Sequence, residues 1–531
     1  MNKILKKTKD WWRGNIIYQI YPRSYQDSDG DGIGDINGIT SRLGYVAELG
    51  IDTIWLSPIF TSPMKDMGYD VSDYTDIDPS FGTLADFDTM VLRAHELGLK
   101  VMIDQVISHC SNQHEYFQES RQDKTNSKAD WFVWADPNPD GTPPNNWPAV
   151  FGGPAWEWEP KRQQFYMHNF LIEQPDFNFH SPEVQAWHLK NMRFWLERGV
   201  DGFRLDTVNF YFHDQELRNN PADPRKLKNY MNTYDMQYHI YSKNRPENIS
   251  FLEKMRALCD EYNAAMVGEM GEAHHPIEMM GEYTKGDKRL HMCYSFEFLG
   301  GDYTPEHFHE KITQFVESAP DGWPSWAFSN HDVQRHVSRW AKAGEEDLVA
   351  KQCGALLMSL YGSICLYQGE ELGQLETKME FHELTDPPGI RFWPENPGRD
   401  GCRTPMVWSA NANDHAGFSE VKPWLPVKAP QRARAVDAQE GAAGSVLEFY
   451  REMIKFRQGS NALKSAPIEF IKSSKDILMF TRGDLICVFN MNSKKAEITV
   501  ETGGKVYVGQ NVDVKGGKIS LGSFGFCILQ S

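Results

Sequence analysis

Eight short runs rich in β-branched and aromatic residues recur along most of this chain: IIYQIY from Ile16, IDTIWLSPIF from Ile51, LKVMIDQVISH from Leu99, VDGFRLDTV from Val200, AAMVGEM from Ala264, HMCYSFEF from His291, PSWAFSN from Pro324 and SICLYQGEE from Ser363. Such side chains fit a pleated, half-buried surface, so each run reads as a strand. Amphipathic stretches lead into three of them: ITSRLGYVAELG before the second, FDTMVLRAHELG before the third and VQAWHLKNMRFWLERG before the fourth. In each, apolar residues return at helical spacing and a glycine stops the helix. Alternating strands and helices make a parallel sheet, and eight strand candidates in this order predict an α/β fold of the (β/α)8 barrel type. A doubly wound open sheet is the rival.

Two regions break the rhythm. Between Cys110 and about His180 the chain is rich in Asn, Pro, Gly and Trp with no long helical period, which reads as an insertion after the third strand. After about Phe456 the runs DILMFTRG, LICVFNMNS, AEITVETGG and KVYVGQNV are separated by Gly, Asn and Lys turns, the pattern of a small all-β domain. The expected division is a barrel over residues 1–109 and 180–456, an inserted loop-rich domain over 110–179 and a C-terminal β-sandwich over 457–531. Thr377 to about Glu440 is Pro-rich and polar and reads as a long loop after the last barrel strand.

A net charge of −18 argues against nucleic acid or an anionic membrane as partner and suits a neutral or cationic ligand. No stretch approaches the roughly eighteen uninterrupted apolar residues of a membrane span. The opening MNKILKKTKDWWRGN has basic residues without an apolar run or a small-residue cleavage site, so no secretory signal is expected there. The eight cysteines are scattered without CxxC pairs, as reduced core residues would be, and the expected location is the cytoplasm. Sixteen tryptophans are a high number; most belong in a core, and exposed rings would suit stacking on the flat faces of sugars.

Barrel active sites lie at the C-terminal ends of the strands. There the third strand runs into DQVISH, the fourth into FRLDT, the fifth into VGEM and the seventh into SNHD. Three carboxylates, Asp206, Glu269 and Asp332, therefore come from three strand ends, with Arg204 two residues before the first and on the same side of its strand. Glycoside chemistry needs such carboxylates in one pocket, one to attack or stabilise an oxocarbenium-like centre and one to protonate the leaving oxygen. Any one of them alone could be a helix cap or a surface acid. Together with His109 and His331 they point to a site.

The stretch DSDGDGIGD, Asp27 to Asp35, alternates acidic residues with glycines, as a loop gathering oxygens around a hard cation would. An EF-hand is excluded, because its twelfth position would be Gly38 and a strand, not a helix, precedes it.

DQVISH, GFRLDT, VGEM and SNHD resemble, in order and spacing, the four signature regions of the α-amylase family of glycoside hydrolases. Within it the chain is most similar to the α-glucosidase and oligo-1,6-glucosidase branch, through IIYQIYPRSYQDSDGDGIGDINGI, DMGYDVSDY, QPDFNF and GRDGCRTPM. Gln105 stands where many relatives carry Leu, beside the histidine and not on it. The resemblance implies a retaining, exo-acting α-glucosidase that hydrolyses terminal non-reducing α-1,4-linked glucose from short oligosaccharides such as maltose, with transglucosylation. The alternatives are an oligo-1,6-glucosidase, or a sucrose- or trehalose-active transglucosylase or isomerase. Asp206 would be the nucleophile, Glu269 the general acid and base, and Asp332 the residue whose contacts strengthen as the sugar distorts. Arg204 would hold Asp206 ionised, since an adjacent cation favours the carboxylate. His109 and His331 would hydrogen-bond sugar hydroxyls and Tyr69 would stack under the ring. Asp66 and Arg403, with Arg399 as the alternative arginine, would grip the far hydroxyl of a terminal glucose. Phe151 and Gln174 are further pocket candidates from the insertion.

Position 207 is Thr, where α-1,6-specific relatives tend to carry Val and α-1,4-cleaving ones Thr, Ala or Gly, so maltose is expected to be preferred over isomaltose. The acidic loop would hold a structural calcium or magnesium through the Asp27, Asp29, Asp31 and Asp35 side chains and the Ile33 carbonyl. Neither an organic cofactor nor a nucleic-acid or membrane partner is expected. The expected partners are small oligosaccharides with sugar or alcohol acceptors, and the expected state is a monomer or homodimer.

Overall fold

The computed structural model describes residues 10–225, 231–500 and 504–531. Each of the eight runs contains a strand: β1 (Ile16–Ile20), β2 (Thr53–Leu56), β3 (Lys100–Gln105), β4 (Gly202–Leu205), β5 (Ala265–Met270), β6 (Met292–Ser295), β7 (Ser325–Ala327) and β8 (Ser363–Tyr367). They pair in parallel in the order β6-β5-β4-β3-β2-β1-β8-β7, and a parallel bridge between Cys293 and Pro324 joins the two ends. The sheet is therefore a barrel, and the open-sheet rival falls.

A helix follows every strand: α1 (Ile36–Leu49), α2 (Leu84–Glu96), α3 (Pro182–Glu197), α4 (Asn248–Tyr262), α5 (Pro276–Thr284), α6 (Pro305–Ser318), α7 (Glu346–Ser359) and α8 (Val446–Gly459). α1 begins where the Asp35 side chain accepts from the Gly38 N–H, and α2 at a capping box between Thr83 and Asp86. Gly50, Gly98 and Gly199 adopt φ of 93°, 84° and 94° just past α1, α2 and α3, the left-handed turn that ends a helix. Along α1 the side chains of Ile36, Ile39, Leu43 and Val46 are fully buried at spacings of three and four, each contributing about 1.5–3 kcal/mol against the sheet.

Inside the barrel, Ile17, Trp55, Met102, Val267, Met292 and Cys365 form an apolar layer. Side chains two apart on a strand share a face, so the next inward layer toward the C-terminal ends is Gln19, Asp104, Arg204, Glu269 and Tyr294. A polar layer thus rests on an apolar floor. Gly202 allows the close approach of β4 and β5, since a Cβ there would come 2.3 Å from the Ala265 carbonyl oxygen.

Between β3 and α3 a helix (Glu115–Ser120) and a three-stranded antiparallel sheet (Trp134–Ala135, Gln164–Met167, Trp156–Glu159) surround Val133, Trp147, Trp156, Phe165 and Met167. After α8, strands β9 (Ile468–Phe470), β10 (Ile477–Arg482), β11 (Leu485–Asn490), β12 (Ala496–Thr499), β13 (Val506–Lys515) and β14 (Lys518–Gln530) pair antiparallel. One face buries Ile477, Met479, Ile486 and Val488, while Phe480, Phe489, Phe526 and Ile528 extend the core of the barrel. All eight cysteines are buried and unpaired. None of the described helices is long and apolar enough to cross a membrane.

Candidate active site

Strand register assembles the chemistry. It sets Asp104 beside Arg204 on β3 and β4, and Glu269 beside Tyr294 on β5 and β6. Arg204 is fully buried, and its Nη1 lies 2.8 Å from Asp104 Oδ1 and 2.7 Å from Asp206 Oδ1 while its Nη2 lies 2.6 Å from Glu269 Oε1. Tyr294 donates its hydroxyl to Glu269 Oε1 at 3.2 Å. Thr207, directly after β4, links the same two carboxyls from the other side: its N–H reaches Glu269 Oε2 at 3.2 Å and its hydroxyl lies 3.3 Å from Asp206 Oδ2. Its φ of 40° is a left-handed conformation unusual for a β-branched residue.

The electrostatics follow from burial. Loss of water pushes Glu269 up to about 8, reinforced by the charges of Asp206 and Asp332 and opposed by Arg204. Burial likewise raises Asp206 to about 7 against the pull of Arg204. Arg204 was expected to hold Asp206 ionised, but its single charge is divided among three carboxyls, and burial outweighs its share. Both carboxyls are raised together and titrate as a pair. Asp332 goes the other way: burial opposes its charge, yet the groups around it hold it below the usual carboxylate range. His331 is itself driven neutral by burial, so Arg403 at 3.0 Å and Arg399 at 3.4 Å carry that effect.

A cavity of about 480 Å³ opens over these groups, and Asp66, Tyr69, His109, Phe151, Asp206, Thr207, Glu269, Asp332 and Arg399 line it. Arg399 Nη2 pairs with Asp66 Oδ1 at 2.7 Å and with Asp386 Oδ1 at 2.6 Å. Arg399, the alternative, is therefore the partner of Asp66, and Arg403 is not. Arg403 is fully buried behind the wall, where its Nε donates to the His331 carbonyl at 2.8 Å and its Nη2 to Asp332. The physical reason is Asp386, which accepts from both the backbone N–H and the side chain of Arg399 and aims it inward.

His331 also lies behind the wall: Gln19 Nε2 meets its Nδ1 at 2.7 Å and the Tyr69 hydroxyl its Nε2 at 2.5 Å, so protein groups hold both ring nitrogens and the expected bond to a sugar is not offered as it stands. Gln174 braces Asp66 and His109 from the same side, at 3.1 Å each. Tyr69 is parallel to His331, 5.4 Å between ring centroids, and its hydroxyl also donates to Asp104.

Several lining residues were not foreseen: Phe170 from the insertion, Phe210, Tyr234, Asp235 and Lys243 from the long segment after β4, then Glu272 and Phe296. The aromatic rings of the wall are Phe and Tyr; no tryptophan is among the described lining residues. Phe210 could have been suspected from the aromatic cluster NFYFHD just past Asp206. Glu272 and Phe296 stand at the ends of the fifth and sixth strand runs, where a barrel site is expected, and the remaining ones stand in segments with no periodic signal.

In the acidic loop, Asp27, Asp29 and Asp35 bring a carboxylate oxygen each within 4.8 Å of one another, a hard-oxygen set that fits calcium or magnesium. Asp31 is not in this group; it is exposed, and its Oδ1 accepts from the Ile33 N–H at 2.7 Å. Asp27 also receives the Ser419 hydroxyl, tying the loop to the segment after β8.

Residues 19–466 match the family model for the alpha amylase catalytic domain. A probable alpha-glucosidase of Rhizobium meliloti (strain 1021) is 54% identical, with 93% of this chain and 92% of that protein covered. An oligo-1,6-glucosidase of Parageobacillus thermoglucosidasius is 35% identical with 91% of each covered. Among solved structures, the α-glucosyl transfer enzyme XgtA superposes with a TM-score of 0.95 at 49% identity, covering 98% of this chain and 99% of that one. The trehalulose synthase MutB from Pseudomonas mesoacidophila MX-45 superposes with 0.89 at 30% identity, covering 98% and 100%.

Proposed function

The chain belongs to the α-amylase family of glycoside hydrolases, and from that premise we propose that it is a retaining, exo-acting α-glucosidase cleaving terminal α-1,4-linked glucose from short oligosaccharides such as maltose. One observation carries the reading: Asp206 and Glu269 are held on the two terminal nitrogens of one guanidinium, at the base of a cavity that the Asp66–Arg399 ion pair borders. Two carboxyls gripped by one small planar group suit the short separation of a retaining enzyme.

In the first step an Asp206 oxygen attacks the anomeric carbon while Glu269 gives its proton to the leaving oxygen, forming a glucosyl ester and a free alcohol. In the second, a water or sugar hydroxyl attacks that carbon, Glu269 takes back a proton, and Asp206 leaves as carboxylate. Asp332, kept charged by two arginines, accepts hydrogen bonds from the distorted sugar. Asp66 and Arg399 bind the outer hydroxyls of a chain end, which gives exo action.

The apolar, aromatic wall of Phe170, Phe210, Tyr234 and Phe296 suits sugar or alcohol acceptors beside water, which supports transglucosylation as a companion activity. Asp27, Asp29 and Asp35 would hold a structural calcium or magnesium remote from the reaction steps. Eight buried, unpaired thiols suit a reducing compartment, so the location we propose is the cytoplasm.

The test is to incubate the protein with maltose, isomaltose and sucrose and resolve the products by NMR. Glucose should be released first as its α-anomer, faster from maltose than from isomaltose, with transfer products growing at high maltose. Release of the β-anomer would overturn retention, and isomerised sucrose without maltose hydrolysis would overturn the activity.

A further inference from the structure

Ser108 has no part in the steps above, yet it stands between two residues that line the cavity, His109 and Thr207. It is buried just past β3, with its Oγ 2.8 Å from His109 Nδ1 and 3.0 Å from Thr207 Oγ1. Thr207 Oγ1 continues to Asp206 Oδ2 at 3.3 Å. At the far end His109 Nε2 lies 3.0 Å from the Tyr69 carbonyl oxygen and 3.1 Å from Gln174 Nε2. Asp206, Thr207, Ser108 and His109 therefore form an unbroken row of hydrogen-bonding groups from the nucleophile to the cavity wall.

Counting protons shows what the row can do. Each hydroxyl has one proton, and so does His109, which burial keeps neutral. With Asp206 charged, Thr207 donates to it, Ser108 donates to Thr207, and His109 Nδ1–H donates to Ser108. Nε2 is then the acceptor, and the Gln174 amide supplies its donor; the amide is oriented because its Oε1 accepts from the Leu171 N–H at 3.0 Å. No group in the row can carry the imidazole proton from Nδ1 to Nε2, because Nε2 meets only the Tyr69 carbonyl and the Gln174 amide, so this order of donors is kept when the charge on Asp206 is lost. In this order both hydroxyls and both ring nitrogens of the row have partners.

We propose that Ser108 is a positioning residue whose hydroxyl, acting through Thr207, keeps a hydrogen-bond donor on the charged Asp206 carboxylate, with the His109 imidazole as the last donor behind it. The proposal rests on Asp206 being the nucleophile. While Asp206 is a free carboxylate the row points at it, and each donor is strengthened by the one behind it. When the glucosyl ester forms that charge is gone, and it returns as Asp206 leaves in the second step, so the row favours that departure. The left-handed backbone of Thr207 fits this role, since it allows one residue to present its N–H to Glu269 and its hydroxyl to Asp206.

Other groups also act on Asp206: Arg204, Asp104 behind it, Glu269, Asp332, and Tyr211, whose hydroxyl reaches the Asp206 carbonyl at 3.4 Å. The experiment must therefore isolate the row. The measurement is the pH dependence of kcat/KM and kcat on an aryl α-glucoside, whose leaving group needs little protonation, for Ser108→Ala, Thr207→Val, Thr207→Ser and the Ser108→Ala/Thr207→Val double variant. Loss of a donor to the charged form should move the acidic limb upward by about half a pH unit and lower kcat about three- to tenfold in Ser108→Ala and Thr207→Val. KM should change less than kcat. Thr207→Ser, which keeps the hydroxyl, should retain the wild-type limb, and the double variant should be no worse than Thr207→Val, because Ser108 acts through Thr207. An unmoved limb in Thr207→Val, which keeps the branched shape, or additive losses in the double variant would overturn the proposal. An active Asp206→Asn would instead overturn the nucleophile assignment on which it rests.

Discussion

Asp206 and Glu269 are both buried carboxyls on one guanidinium, and their neighbours divide the work. Asp206→Asn keeps the shape and removes the attacking charge, so turnover should fall on the order of 10⁴-fold or more with an unchanged melting curve. Near-wild-type kcat in the purified, folded variant would refute the assignment. Glu269→Gln removes the acid and leaves the nucleophile. Its loss should be about 10²- to 10⁴-fold on maltose and much smaller for the first step on an activated aryl glucoside, and equal first-step losses on both would move the acid role elsewhere. Thr207 lines the cavity while its hydroxyl is turned to Asp206 and Ser108. Thr207→Val should shift the maltose-to-isomaltose ratio of kcat/KM toward isomaltose by up to about tenfold, since such pocket changes are worth on the order of 1–3 kcal/mol. The hydroxyl row acts on the nucleophile common to both sugars, so it scales both rates and leaves the ratio alone. A wild type preferring isomaltose would sink the α-1,4 preference.

The loop after β1 shows how a single residue serves two elements: Asp35 caps α1 and also belongs to the acidic cluster with Asp27 and Asp29. A bound divalent ion would stabilise the folded state by mass action. Chelation should lower the melting temperature by several degrees, with calcium or magnesium restoring it and kcat at low temperature unchanged; an unmoved melting curve would remove the metal from the account. The elements themselves were legible because burial on both faces forces continuous β-branched runs, and because helices before strands end at glycines. Strand-end positions of Asp206 and Glu269 followed directly from that. The choice between Arg399 and Arg403 was not legible: both lie in GRDGCRTPM, and Asp386, outside that motif, decides which one turns inward. The divided loyalty of Arg204 was equally hidden, because Asp104 and Tyr294 reach it only through the register of neighbouring strands. The wall of Phe170 and Tyr234 comes from segments whose conformation has no period to read.

Taken whole, the molecule places a polar layer on an apolar barrel floor, and that burial sets its working range. Glu269 must keep its proton to act as acid, so activity should fall as pH rises through about 8. Asp206 must have lost its proton to attack, so activity should fall as pH drops below about 7. The two carboxyls titrate as a pair, and kcat/KM should be bell-shaped with its maximum between those limbs. A profile flat across this range would contradict the burial argument. The most direct test of the central claim is to mix Glu269→Gln with an activated aryl α-glucoside, quench it in acid and map the modified peptide by mass spectrometry. The first step should survive in this variant and the second should stall, so a glucosyl adduct on Asp206 is the predicted result; an adduct on another residue, or wild-type product of inverted configuration with no adduct, would contradict it.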